Sequence, residues 1–251
     1  MWTWFRAIER GHQTPYRLVM NKQRTPARLA TFLAQHLQAD STAWMELFRD
    51  SLVMDGQPRD PQNTLLFFLP DTYEVYWTIR PTQFLQKMQK EYRAFWTSHR
   101  IAEARSLGLT PRDVMILASL VEEETQFAQE RPRIAGVYWN RLKAGMPLQA
   151  DPTVKFALGR FDLRRIGVEH TQFASPYNTY RQQGLPPGPI CIPSKNAIHA
   201  VLKAEKHDFI YFCANPERVG THLFATRFDQ HLRNAQRYRK SLDKRGVKIQ
   251  F

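Results

Sequence analysis

The chain has 251 residues, 43% of them hydrophobic and 12% aromatic, enough to bury a core and to exclude wholesale disorder. Its 36 Lys and Arg against 23 Asp and Glu give a net charge of +13 at pH 7, which points to a polyanionic partner or an anionic surface. No apolar run reaches the roughly 18–20 residues of a membrane span, and the opening "MWTWFRAIERGHQTPY" lacks the apolar stretch of a secretion signal. The basic residues are scattered, with no zinc spacing, RNP-like strand or arginine-rich arm, so nucleic acid is disfavoured as the partner. Cys191 and Cys213 lie in apolar surroundings and read as small buried side chains ahead of a disulfide.

In chain order, "MWTWFRAIERG" predicts a short amphipathic helix stopped by Gly11, and "YRLVM" a strand over Tyr16 to Met20. Pro26 opens a helix to Leu37 with apolar Leu29, Phe32 and Leu33 at helical spacing, and a further helix follows Asp40. After the polar segment 55–64, "LLFFLPDTYEVYW" predicts a buried strand broken by Pro70, and a long helix is expected from Pro81 to Leu107. Thr110, Pro111 and Asp113 form a capping-box start for a helix expected to reach Phe127. Next come a helix over "RIAGVYWNRLKAG" and one capped by Asp151, with Pro152 at its first position and Gly159 as terminator. A Pro/Gly-dense loop over 175–193 precedes a helix near Lys195 to Lys203. The strands "DFIYFCA" and "HLFA" flank the turn "NPERVG", and the last helix is expected behind Thr226 and Asp229. Helices alternate irregularly with a few short strands, which predicts an α+β fold rather than a doubly wound sheet.

Three consecutive glutamates, Glu122 to Glu124, stand behind the apolar run "LASLV". At about 100° per residue, Val114, Leu117 and Val121 define an apolar stripe, from which Glu123 points about 180° away, toward solvent. Glu122 and Glu124 fall at about +80° and −80°, where a half-buried carboxyl acquires a raised pKa suited to a general acid. The wheel does not choose between them. Asp151 is most simply a helix N-cap, His222 a lone structural imidazole, and "YNTY" with "GLPPGPI" either a groove-lining loop or a stiff connector.

In order, "LASLVEEET", "RIAGVYWNRLKAGMPLQADPTVKFALG", "SPYNTYRQQGLPPGPI", "IYFCA" and "GTHLFA" resemble the endolytic murein transglycosylases, the MltG or YceG-like family. Upstream, "FFLPDTYEVYW" is similar to that family's Pro-Asp-Thr-Tyr element, and "GHQTPYRLVMNKQRT" to the exit from its LysM-like subdomain. The resemblance implies a helix-rich catalytic core over 108–251 with a few short antiparallel strands. It also implies a helical connecting region over 21–107 and the remnant of a small LysM-like subdomain over 1–20. It implies an enzyme that cuts peptidoglycan glycan strands internally at the outer, periplasmic face of the cytoplasmic membrane, with cell wall synthases as partners and a membrane anchor in the parent protein.

The family's Val/Ile-Glu-x-Glu-Thr motif places the acid/base on Glu124, ahead of Thr125, with Glu122 and His222 in support. The substrate-binding positions it implies are Asn140, Gln149, Asp151, Thr153, Tyr177, Asn178, Thr179 and Tyr180. It implies neither a metal nor a cofactor. The surplus of Lys and Arg suits anionic lipid headgroups and stem-peptide carboxylates. Two rival readings are a non-catalytic peptidoglycan-binding scaffold and a basic nucleic-acid binder, the latter supported by charge alone.

Overall fold

The computed structural model describes residues 14–50, 61–244 and 246, so the predicted N-terminal helix lies outside the described residues. The fold is α+β, and the chain divides between Phe95 and Trp96 into two compact units.

In the first unit, strand β1 (Tyr16–Met20) pairs antiparallel with β2 (Asp71–Val75), Tyr16 opposite Val75 and Met20 opposite Asp71. Alternation puts Leu18, Met20, Tyr73 and Val75 on the buried face, as the period of two in a strand requires. Helices α1 (Pro26–His36), α2 (Ser41–Asp50) and α3 (Pro81–Phe95) belong to the same unit. Leu29 and Leu33, Trp44 and Phe48, and Phe84 and Met88 fill its core, where the Trp44 and Phe84 rings meet edge to face at 5.5 Å.

Two expectations fail here. The apolar run ahead of Pro70 is no strand: Pro61–Phe67 winds into a 3-10 helix whose residues 62–67 are buried, and extended structure begins only at Asp71. A short apolar run buried all round carries no period that separates strand from helix. The long helix also breaks in two, because Thr97 turns extended and its hydroxyl accepts from Arg100 N, capping a new helix, α4 (Ser98–Ser106).

The second unit is built around α5 (Pro111–Glu124). Thr110 accepts from Asp113 N while the Asp113 carboxylate accepts from Thr110 N, the predicted capping box. Every residue from Val114 to Glu122 is buried. Around it lie α6 (Arg131–Lys143), α7 (Asp151–Leu158), the short α8 (Val168–Thr171) and α9 (Lys195–Leu202). Strands β3 (Tyr211–Ala214) and β4 (His222–Ala225) form an antiparallel hairpin, Ala214 opposite His222, against which α10 (Phe228–Lys244) packs.

Close approaches lock these pieces. The segment after α9 crosses α6 at Gly136, where an added Cβ would strike the Glu205 carbonyl and the His207 ring. Ser119, buried in the middle of α5, accepts from Ile190 N at 3.0 Å and so fastens the Pro/Gly-rich loop to the central helix. Both cysteines are free thiols, Cys191 buried and Cys213 half-buried. Among the described residues no helix is long and apolar enough to cross a membrane.

Leu117 is wholly enclosed at the centre of α5. Leu117→Ala is expected to cost about 2–5 kcal/mol in denaturant unfolding of the second unit, and a loss below about 1 kcal/mol would contradict this placement of the core.

Candidate functional site

Helix α5 ends at Glu124, three residues before the expected stop at Phe127. Thr125 is buried in an extended conformation, φ −142° and ψ 141°, and its hydroxyl accepts from Phe127 N at 3.1 Å. Glu124 is therefore the last helical residue. Its part-buried carboxylate accepts from the Tyr138 hydroxyl of α6 at 3.1 Å. Burial, and then the charge of Asp151, push the Glu124 carboxyl up from 4.5 to about 8, against the opposing pull of the Tyr138 bond and Lys155.

Asp151 does not cap its helix as expected. It is the first residue of α7, behind Ala150, and its Oδ1 accepts from the Tyr180 hydroxyl at 2.6 Å. Burial raises the Asp151 carboxyl, while the Tyr180 bond and Lys155 lower it. Lys155 stands four residues on, on the same face of α7. Burial also raises both phenols, Tyr138 and Tyr180, so each remains a donor to its carboxylate.

The loops carrying these groups are braced by other residues of the motif. Thr153 and Thr179 are fully buried with their hydroxyls 2.9 Å apart, and Thr179 Oγ1 accepts from Ala150 N at 3.0 Å. Asn178, also fully buried, donates to Thr171 O and Phe173 O and accepts from Tyr180 N. Asn140 donates to His207 O at 2.7 Å and Phe209 O at 3.0 Å, tethering the segment ahead of β3. These four side chains direct these polar groups into the protein. Tyr177 is half-buried against Phe156, ring centroids 4.8 Å apart, and Gln149 is exposed.

The other two glutamates are placed differently from each other. Glu122 is buried and pairs with Arg131 at 3.2 Å while accepting from Ser194 N and its hydroxyl, which joins α5, α6 and the start of α9. Glu123, expected to point into solvent, is half-buried. The reason is that α5 is enclosed nearly all round, so a single-stripe wheel misjudges its outer face. His222 gives its backbone N–H and its Nδ1 to the Glu130 carboxylate, at 3.1 and 2.8 Å. Its ring meets Phe212 edge-on, and Phe212 in turn meets Tyr138. The 215–221 turn adds a second grip on the segment after Glu124, since a Cβ at Gly220 would collide with the Phe127 ring.

Sequence reasoning missed Tyr138 and Arg141. Ile134, Val137, Tyr138 and Arg141 recur at helical spacing and are buried together, and an arginine on the apolar stripe of a helix was the signal that could have found the pair. Arg141 donates to Leu148 O at 3.1 Å and to Gln149 Oε1 at 2.6 Å, with its guanidinium over the Tyr211 ring. Among the described residues no cluster of His, Cys, Asp and Glu has the makings of a metal site. Chemically, the arrangement offers one carboxyl whose proton affinity is raised to about 8, a second carboxyl raised by burial, and the two phenols that donate to them.

Comparison with known proteins gives a consistent kinship. The model of the YceG-like family matches residues 1–237. An endolytic murein transglycosylase of Bacillus subtilis (strain 168) is 33% identical over 154 residues, which is 61% of this chain and 42% of that protein. One from Streptococcus pneumoniae serotype 2 (strain D39) is 37% identical over 134 residues, 52% of this chain and 24% of that protein. The chain thus spans less than half the length of these curated relatives. The crystal structure of a yceG-like protein of Listeria monocytogenes superposes with a TM-score of 0.73 and 26% identity, covering 92% of this chain and 80% of that one. With nearly its whole length matched by the family model and its fold shared with a solved relative, the chain belongs to the YceG-like family.

Proposed function

We propose that the protein is a peptidoglycan endolytic transglycosylase that cleaves the MurNAc–GlcNAc bond within glycan strands and leaves 1,6-anhydro-MurNAc ends. The observation that carries the reading is Glu124: a carboxyl raised to about 8 at a helix end, hydrogen-bonded by a phenol and adjacent in charge to a second carboxylate. The names of the relatives, endolytic murein transglycosylases, support the substrate class.

In the first step Glu124, protonated, gives its proton to the oxygen linking C1 of MurNAc to GlcNAc, and the C1–O bond breaks. The positive charge developing at C1 is met by the carbonyl oxygen of the sugar's own N-acetyl group, which takes the place of a second carboxylate nucleophile. Glu124, now a carboxylate, removes the proton from the muramyl C6 hydroxyl, and O6 closes onto C1. No water is consumed, and the acid ends the cycle protonated. Tyr138 serves the second half, because its hydroxyl bond favours the carboxylate that this half requires.

Asp151 and Tyr180 hold the neighbouring wall, Gln149 and Tyr177 face the glycan, and Asn140, Thr153, Asn178 and Thr179 keep those loops in place. Glu122 and His222 hold the two ends of the Glu124 segment. The protein works at the outer face of the cytoplasmic membrane beside cell wall synthases, where its surplus of Lys and Arg meets anionic headgroups and stem peptides.

With uncrosslinked glycan strands as substrate, mass spectrometry is expected to find anhydro-muramyl ends, and reducing ends in their place would mean hydrolysis. Glu124→Gln should lower the rate by about 10²–10⁴-fold with the fold intact, and a fully active variant would refute the assignment.

The first step needs the protonated acid, so kcat should fall as pH rises through about 8. Tyr138→Phe removes a bond to the carboxylate and should move that limb to higher pH. Asp151→Asn removes a like charge and should move it lower. Limbs that shift together, or not at all, would contradict this electrostatic arrangement.

A further inference from the structure

Among the described residues Gln149 is the one non-glycine residue with a positive φ, 51°. A residue bearing a Cβ is sterically disfavoured there and persists only where its surroundings fix it, a situation common at ligand clamps. The surroundings do fix it. Its N–H donates to Thr179 O at 3.0 Å, the N–H of Ala150 goes to Thr179 Oγ1 at 3.0 Å, and its Oε1 accepts from Arg141 at 2.6 Å. Arg141 is itself held by Leu148 O at 3.1 Å.

A guanidinium can only donate, so the amide oxygen of Gln149 must face it and the NH2 must turn away. Gln149 is nevertheless exposed, and among the described residues nothing accepts from that NH2. Backbone strain, a buried arginine and three fixing hydrogen bonds thus hold two donors outward at the surface. Arg141 lies one turn from Tyr138 on α6, the phenol that bonds Glu124, and interacts electrostatically with both Tyr138 and Tyr180, the partners of the two carboxyls.

We propose that Gln149 reads the carbonyl oxygen of an N-acetyl group on the glycan, and that Arg141 is the positioning residue that keeps its donors turned outward. This rests on the reading of the protein as one that acts on peptidoglycan glycan. An acetamido carbonyl accepts what the amide offers. The ammonium group of an N-deacetylated sugar only donates, so it meets another donor. The site therefore selects N-acetylated over N-deacetylated strands.

The test is calorimetric binding of the full chain carrying Glu124→Gln, which removes turnover, to uncrosslinked N-acetylated strands and to the same strands after N-deacetylation. The overall positive charge also disfavours the cationic strand, so the readout is how the Kd for N-deacetylated strands divided by the Kd for N-acetylated strands changes between variants. Adding Gln149→Gly, which accepts the positive φ, or Gln149→Met, which keeps the length without donors, is expected to reduce that ratio about tenfold. Arg141→Lys, which loses the fork that orients the amide, should lower the ratio too, where a merely structural role would weaken both strands alike.

Each variant is checked for folding by circular dichroism. An unchanged ratio in folded Gln149→Gly or Gln149→Met overturns the proposal while leaving the glycan reading intact. Failure of the Glu124→Gln protein to bind either strand overturns both.

Discussion

Everything proposed for this protein depends on a carboxyl group partly withdrawn from water at the end of a buried helix. Glu124 is the point at which α5 stops, and burial is the first cause of its raised proton affinity. An ordinary glutamate would be ionised at neutral pH and of no use as a proton donor. Here desolvation disfavours the charge, and Asp151 adds a like charge that disfavours it further. The Tyr138 hydroxyl restrains the shift and leaves a group able to lose and regain its proton near neutrality.

Around that group the second unit is arranged as a set of clamps. Glu122 and Arg131 fix the helix just before the acid, and Glu130 with His222 fixes the segment just after it. The α7 start and the 177–180 loop are tied together by the buried Thr153 and Thr179, and buried Asn178 ties the same loop back to Thr171 and Phe173. Preorganisation of this kind is what a site working through charge and hydrogen bonding requires, because little has to reorganise when the proton moves. In the proposed reaction one carboxyl serves as acid and then as base, so no separate nucleophile is required.

Much of the secondary structure was legible in the sequence. Tyr16 to Met20, the Thr110–Pro111–Asp113 start, the stop at Gly159 and the "HLFA" strand all carry local signals, namely alternation, caps and terminators, and the structure has them where those signals fall. The features that escaped are the ones tertiary contact decides. The run before Pro70 is buried on every side and so shows no period, and the break at Trp96 and Thr97 rests on a single N-cap threonine inside a long stretch otherwise able to continue as helix. Helix α5 ends at Glu124 because Thr125 is drawn into the core, which no pattern around it announces.

The candidate site was legible chiefly through resemblance. Periodicity left Glu122 and Glu124 tied, and the structure separates them by their partners: a guanidinium and a serine for one, a phenol for the other. Tyr138 and Arg141 carried only the faint signal of polar atoms on an apolar stripe. The most direct test of the account is a site-resolved ¹³C-carboxyl NMR titration of Glu124, assigned by difference from Glu124→Gln. A midpoint near 8 is the result the account predicts, and a midpoint at 4.5, that of a glutamate in open water, would contradict it.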